Sequence, residues 1–230
     1  MTDSGYVGAA GLTTGNELPW YLSPVAEKVY GGTPNLEQRM EFSRDVLSRV
    51  ESAFRRSGLS VELTDRPGQS AAHTLSVVSG ARSPASPDAV GVTEVGRDGF
   101  TFIDKLGYSQ TIDELKYAVA NNVAHELMHA FGVDRHAPGG SYLDSGVADW
   151  NTLIDPNATF SPEAVRELAS RDFRAVGSTS LIGAQQVEHG SECGHCLQLL
   201  ASPVPEPTTW LAWGLGGLAA AWIRSRRRAV

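Results

Sequence analysis

One run constrains this chain more than any other: Thr111 to His136 reads as a helix that stops at Gly132, with one side turned to a cleft. Thr111-Ile112-Asp113-Glu114 reads as a capping box, the hydroxyl and the carboxylate each satisfying a free amide at the start. Ile112, Leu115, Val119, Val123, Leu127 and Ala130 then recur every three or four residues as one apolar stripe. Gly132 follows where a helix needs a left-handed stop. At about 100° per residue, His125 and His129 share a face roughly 100–140° round from the centre of that stripe, and Glu126 lies about 40° from it. Both imidazoles therefore turn from the core toward a cleft, and Glu126 starts at the core's edge. Two imidazoles one turn apart are a ready pair of metal ligands. A carboxylate beside the first is placed to deprotonate a water at the metal. If the histidines were merely hydrogen-bonded, Glu126 would be left to find some other partner.

The segment VAHELMHAFGVDRH, residues 123–136, resembles the zinc metallopeptidases with HExxH active-site helices, and most the metzincin branch, whose pattern is HExxHxxGxxH. His125, Glu126, His129 and Gly132 match that pattern position by position. The third-ligand position falls on Arg135, whose guanidinium has no free lone pair. His136 stands one residue late and Asp134 one early. A one-residue insertion in the loop restores His136, which is the expected third ligand. Asp134 is the alternative, as is a distant carboxylate of the gluzincin kind, for which Glu163 and Glu167 are the candidates. Metzincins also set a Met in a tight turn beneath the metal. The three Met residues here are Met1, Met40 and Met128, so none follows the motif. Gly140 to Gly146 looks like that turn with Leu143 in the Met position, and Tyr142 beside it is a candidate donor to the oxyanion.

The order of elements upstream agrees with the resemblance. Glu27 to Tyr30 reads as a short strand ended by Gly31-Gly32, and Thr33-Pro34 as an N-cap with a first-turn proline. Leu36, Met40, Leu47, Val50 and Phe54 mark a helical stripe that stops at Gly58. Leu59, Val61 and Leu63 alternate at strand period. Arg66-Pro67-Gly68 turns the chain, and Thr74 to Val78 reads as the next strand. Ser83 to Asp88 is a loop, with short strands at Val90-Gly91-Val92 and Phe100 to Ile103. Downstream, Ser161-Pro162-Glu163 opens a helix with Val165 and Leu168 on its apolar side, and Asp149, Trp150 and Asp155 are candidates to line the cleft. The expected fold class is α+β: a small mixed sheet over an active-site helix, metzincin-like, with a C-terminal anchor.

The C-terminus carries a second signal. Val204-Pro205-Glu206-Pro207 leads into an apolar run from Thr208 to Ile223, closed by Arg224 and Arg226-Arg227-Arg228. The run is shorter than the roughly twenty residues that cross a bilayer comfortably. Trp210, Trp213 and Trp222 suit interfacial depths, and the arginines predict a cytoplasmic end. This layout resembles the PEP-CTERM sorting signal of bacterial envelope proteins. That resemblance implies recognition by an exosortase at the inner membrane, removal of the tail, and a secreted or envelope location. Residues 1–15 hold no lysine or arginine and no apolar core, so no signal peptide is read there. A lost leader is the favoured explanation, and membrane targeting by the tail alone is the other.

Four of the 19 basic and one of the 26 acidic side chains lie beyond residue 203, so residues 1–203 carry a net charge of −10. That argues against nucleic acid and against an anionic membrane surface as partners. Cys193 and Cys196, in Cys-Gly-His-Cys, are the two cysteines. Local disulfide, free thiols, or a metal shared with His189 or His195 all remain open for them. The expected organisation is an extension at 1–24, a zinc peptidase domain at 25–183, a Cys-containing linker at 184–203 and the sorting segment at 204–230. The expected function is a zinc (Zn2+) endopeptidase acting on a peptide or protein substrate, with His125, His129 and His136 as ligands and Glu126 as general base. The alternative is an inactive envelope or biofilm-matrix protein that keeps the fold.

Overall fold

The computed structural model describes residues 11–61, 63, 73–170 and the backbone of 197–201. A short strand β1 (Leu18–Pro19) runs through a 3-10 turn at Trp20–Leu22 into helix α1 (Pro24–Tyr30). Ser23 caps α1 by accepting from the Val25 amide at 3.1 Å, Pro24 fills its first turn, and Gly31 ends it at φ 72°. Residues 27–30 are thus helical, not the strand expected from the sequence. The Ser-Pro pair upstream outweighs the strand preference of Val29 and Tyr30. Helix α2 (Leu36–Arg56) begins two residues later than the Thr33-Pro34 reading: Asn35 is the N-cap and exchanges hydrogen bonds with Gln38 in a full capping box. Its buried face is Phe42, Val46, Leu47, Val50, Ala53 and Phe54, whereas Leu36 and Met40 are exposed.

The strands β2 (His73–Ser79), β3 (Gly91–Thr93) and β4 (Gly99–Phe102) follow, each within one residue of expectation. The described residues between 59 and 63 form no strand. Val61 is buried in the core and Leu59 and Leu63 pack against it from an irregular path, which satisfies the same alternation. The sheet order is β1-β2-β4-β3, with β5 (Leu197–Ala201) also paired to β2. β2 and β4 are parallel, with Leu75 opposite Gly99, and the other pairings are antiparallel. β2 is therefore buried along almost its whole length. Leu75 and Val77 face the helices, while Val78, Phe100 and Phe102 pack a smaller cluster on the opposite side.

A second 3-10 turn (Ile103–Leu106) leads to helix α3 (Ile112–Ala130), followed by the short α4 (Trp150–Ile154) and α5 (Pro162–Ser170). The Thr111 hydroxyl accepts from the Glu114 amide at 3.1 Å, but the Glu114 carboxylate reaches the Gln110 amide instead of the N-cap amide. The capping box is half formed and shifted by one. α3 is also buried on more than a stripe: beside Leu115, Val119, Val123 and Leu127 it hides Lys116, Asn121, Asn122, Glu126 and His129. It lies under the sheet, between α2 and α4, so each polar group finds a partner from a different neighbour. Lys116, for example, reaches Glu41 at 2.9 Å and Asp45 at 2.6 Å on α2. Residues 18–22, read above as part of an extension, belong to the same core through Trp20, which stacks on Phe42 at 4.1 Å.

The result is a small mixed sheet packed on helices, with the motif helix beneath it. Among the described residues no helix is long and apolar enough to cross a membrane. The turn expected at Arg66 to Gly68, the pair Cys193 and Cys196, and the sorting segment 204–230 lie outside the described residues.

Candidate metal centre

Helix α3 ends in a Schellman motif: the Gly132 amide bonds to the His129 carbonyl at 2.8 Å and the Val133 amide to the Met128 carbonyl at 3.2 Å. Gly132 sits at φ 93°, where a side chain is strained, and buried Val133 seals the turn. The chain so reversed passes exposed Asp134 and Arg135 and delivers His136 back to the helix face. The Nε2 atoms of His129 and His125 lie 3.1 Å apart, and those of His129 and His136 lie 3.0 Å apart. The donor atoms of all three fall within 4.8 Å of one another. Asp134 is not in this cluster. Glu163 and Glu167 are not in it either: they border a second cavity, which His136 also lines, and Glu163 pairs with Arg166 at 2.7 Å.

The segment after His136 fixes the rings. The His125 Nδ1 donates to the Leu143 carbonyl at 2.6 Å, and the His129 Nδ1 to the Val133 carbonyl at 2.6 Å. Leu143 itself is buried in the main core, as an apolar floor requires. Asp144 ties this turn to the start of α5 by accepting from the Ser161 amide at 2.7 Å and its hydroxyl at 2.6 Å. The His136 ring lies against Gly146, which leaves little room for a side chain there.

Those carbonyl bonds decide the tautomers. A carbonyl can only accept, so Nδ1 carries the proton in both rings and each neutral Nε2 holds a lone pair. Burial, then the neighbouring His129, holds His125 down at about 3, and burial also lowers His129, against the opposing pull of the two carbonyls. Both rings are therefore neutral near pH 7. Their Nε2 lone pairs face each other with no proton to share, an arrangement that no hydrogen bond between these two rings can satisfy. A cation satisfies it. Zinc–imidazole bonds of about 2.0–2.1 Å in a tetrahedral set place donor nitrogens roughly 3.3 Å apart, close to the spacing seen. The donor set fits zinc.

Glu126, 4% exposed, points to the other side of the same cleft. Its Oε2 accepts from the Thr93 hydroxyl at 2.6 Å, and a side-chain carbon on Gly91 would overlap its Oε1. Burial pushes its carboxyl up to about 8, with the Thr93 hydroxyl working the other way. A cavity of about 380 Å³ joins Gly91, Glu126, His125, His136, Tyr142 and Asp149. Tyr142 is 38% exposed at its rim. Asp149 caps α4 through the Asn151 amide, and Trp150 packs on Tyr108 at 5.8 Å. The Asp155 carbonyl accepts from Asn121, on the face of α3 one turn before His125, so this residue anchors α4 and is not among those lining the cavity. Thr93 and Gly91 were not legible as site residues. They lie about thirty residues from Glu126, in a strand with no motif, and only the sheet brings them there.

No protein-family model matches the chain, and no curated protein matches it. Among solved structures, the crystal structure of archaemetzincin from Methanopyrus kandleri is 20% identical, with a TM-score of 0.32. The match covers 37% of this chain and 47% of that one, so the chain spans about half the length of that protein.

Proposed function

We propose that this chain is a zinc-dependent endopeptidase with a metzincin-like site. The observation that carries the reading is the trio of imidazoles, two of them held with their Nε2 lone pairs facing, set in one cleft with a buried carboxylate. His125, His129 and His136 would hold the zinc. When bound, zinc acts as a Lewis acid that polarises a carbonyl and acidifies water. The Leu143 and Val133 carbonyls hold His125 and His129 in the ligating tautomer. Glu126 takes the proton from the attacking water and passes it to the leaving amine. Burial raises its carboxyl above the usual carboxylate range, which makes the ionised form a stronger base than a solvated carboxylate. The cavity beside His125 gives the substrate residue next to the scissile bond a place to sit.

The test is zinc content together with cleavage of a broad protein substrate such as labelled casein. Purified wild-type protein should carry about one zinc per chain and cleave. Glu126→Gln should keep the metal and lose about 10²–10⁴-fold in turnover. Wild type without zinc, or a Glu126→Gln variant as active as wild type, removes the peptidase reading. Zinc without cleavage favours the non-enzymatic envelope protein.

The reading also includes export, supported by the PEP-CTERM-like residues from Val204 to Arg228. Expressed in a bacterium that has an exosortase, the exported protein should lack the apolar run and the arginines by mass spectrometry. Exported protein that still contains residues 208–228 counts against processing.

A further inference from the structure

Two residues of the edge strand β3, Thr93 and Gly91, meet the Glu126 carboxylate, and Gly99 on the neighbouring β4 seats the first of them. Thr93 pairs with Gly99 across β3 and β4, and a side chain on Gly99 would occupy the place of the Thr93 hydroxyl. From there the hydroxyl reaches Glu126 Oε2 at 2.6 Å. Two residues earlier on the same strand, Gly91 offers Glu126 Oε1 a space that any Cβ would fill. Thr93 points to the helix because residues 91 and 93 of a strand share a face. An edge strand would accept Val as readily as Thr for packing, so what Thr93 adds here is the hydroxyl.

We propose that Thr93 is a positioning residue: its hydroxyl, seated by Gly99, holds Glu126 by one carboxylate oxygen, while Gly91 leaves the other oxygen open to the cleft. A glutamate side chain turns about three bonds, and a general base must stay within about 2.6–3.2 Å of the proton it takes. A displacement of about 1 Å is enough to cost roughly 10²-fold in rate. Fixing one oxygen on a strand removes that freedom without occupying the oxygen that works. The consequence for catalysis rests on the peptidase reading; the bond itself does not.

The test combines kinetics with a readout independent of cleavage. Thr93→Val keeps the shape and deletes the donor, and Thr93→Ser keeps the donor. On labelled casein, Thr93→Val should lower kcat about 10–100-fold with KM and zinc affinity changed less than about twofold, and Thr93→Ser should recover kcat to within about threefold. Gly91→Ala, which crowds Oε1, should lower kcat in the same way. In parallel, a double-mutant cycle of Thr93→Val with Glu126→Leu, read by urea unfolding of the full chain as purified, should show a coupling of about tenfold in the unfolding constant, as befits a buried hydrogen bond. A coupling under about twofold, or Thr93→Val with wild-type kcat, overturns the assignment. Thr93→Ser as slow as Thr93→Val overturns it too, since the methyl and not the hydroxyl would then be what matters. A wild type that cleaves nothing ends the peptidase reading, and the unfolding cycle still decides whether Thr93 holds Glu126.

Discussion

At His136 the departure from the HExxHxxGxxH spacing is absorbed by the loop. The extra residue lets Asp134 and Arg135 lie exposed while the next imidazole returns to 3.0 Å from His129. His136→Ala should therefore weaken zinc binding well beyond the 10–100-fold typical of changes behind the ligands, and Asp134→Ala should leave it within about twofold. Competition with a chromogenic chelator reads both; the reverse pattern would move the third ligand to Asp134. Helical periodicity alone was enough to align His125 with His129 and to put Glu126 at the core's edge. It said nothing of Thr93 or Gly91, because a contact across about thirty residues leaves no periodic trace. Nor could it show that the turn at 140–146 does two things: Leu143 fills the floor with its side chain and fixes His125 with its carbonyl.

The end of α3 matters as much as its face. The two bonds of the Schellman motif aim the chain so that His136 arrives at the cluster, and Gly132 holds the conformation at φ 93°. Gly132→Ala should destabilise the fold by about 1–2 kcal/mol, the usual strain of a side chain in left-handed backbone. It should also lower zinc affinity, because relaxation of that strain swings His136 outward. Denaturation and zinc competition on one variant check both, and a drop in stability with unchanged affinity would mean that the loop finds His136 another way. Strong end signals made α3 and α5 readable in advance: Thr111, Gly132, and Ser161-Pro162. Element type failed where a short apolar pattern was read without its caps. Ser23-Pro24 makes a helix of residues 24–30, and Asn35 with Gln38 displaces the start expected at Thr33-Pro34. Leu59, Val61 and Leu63 show the converse, since alternate residues can pack on a core from a path with no strand partner.

For the whole molecule, the site is a product of the tertiary fold. Its imidazoles come from α3 and from the loop beyond it, and the carbonyls that set their tautomers come from that loop and from the turn at 143. The carboxylate is held from the edge strand β3. An unfolded chain cannot hold three imidazole donors within 4.8 Å of one another, so on the proposed reading zinc would bind the native state and add its binding free energy to folding. At a free zinc concentration of 100 Kd the gain is about 2.7 kcal/mol. For a domain of this size each kcal/mol is worth about 2–4 °C, so the midpoint should rise by roughly 5–11 °C on adding zinc and fall back with a chelator. His125→Ala with His129→Ala should abolish that response while leaving the sheet and α2 in place, because neither imidazole belongs to the apolar cluster that joins them. The same zinc-dependent rise in the double variant would mean that the metal binds elsewhere on the chain.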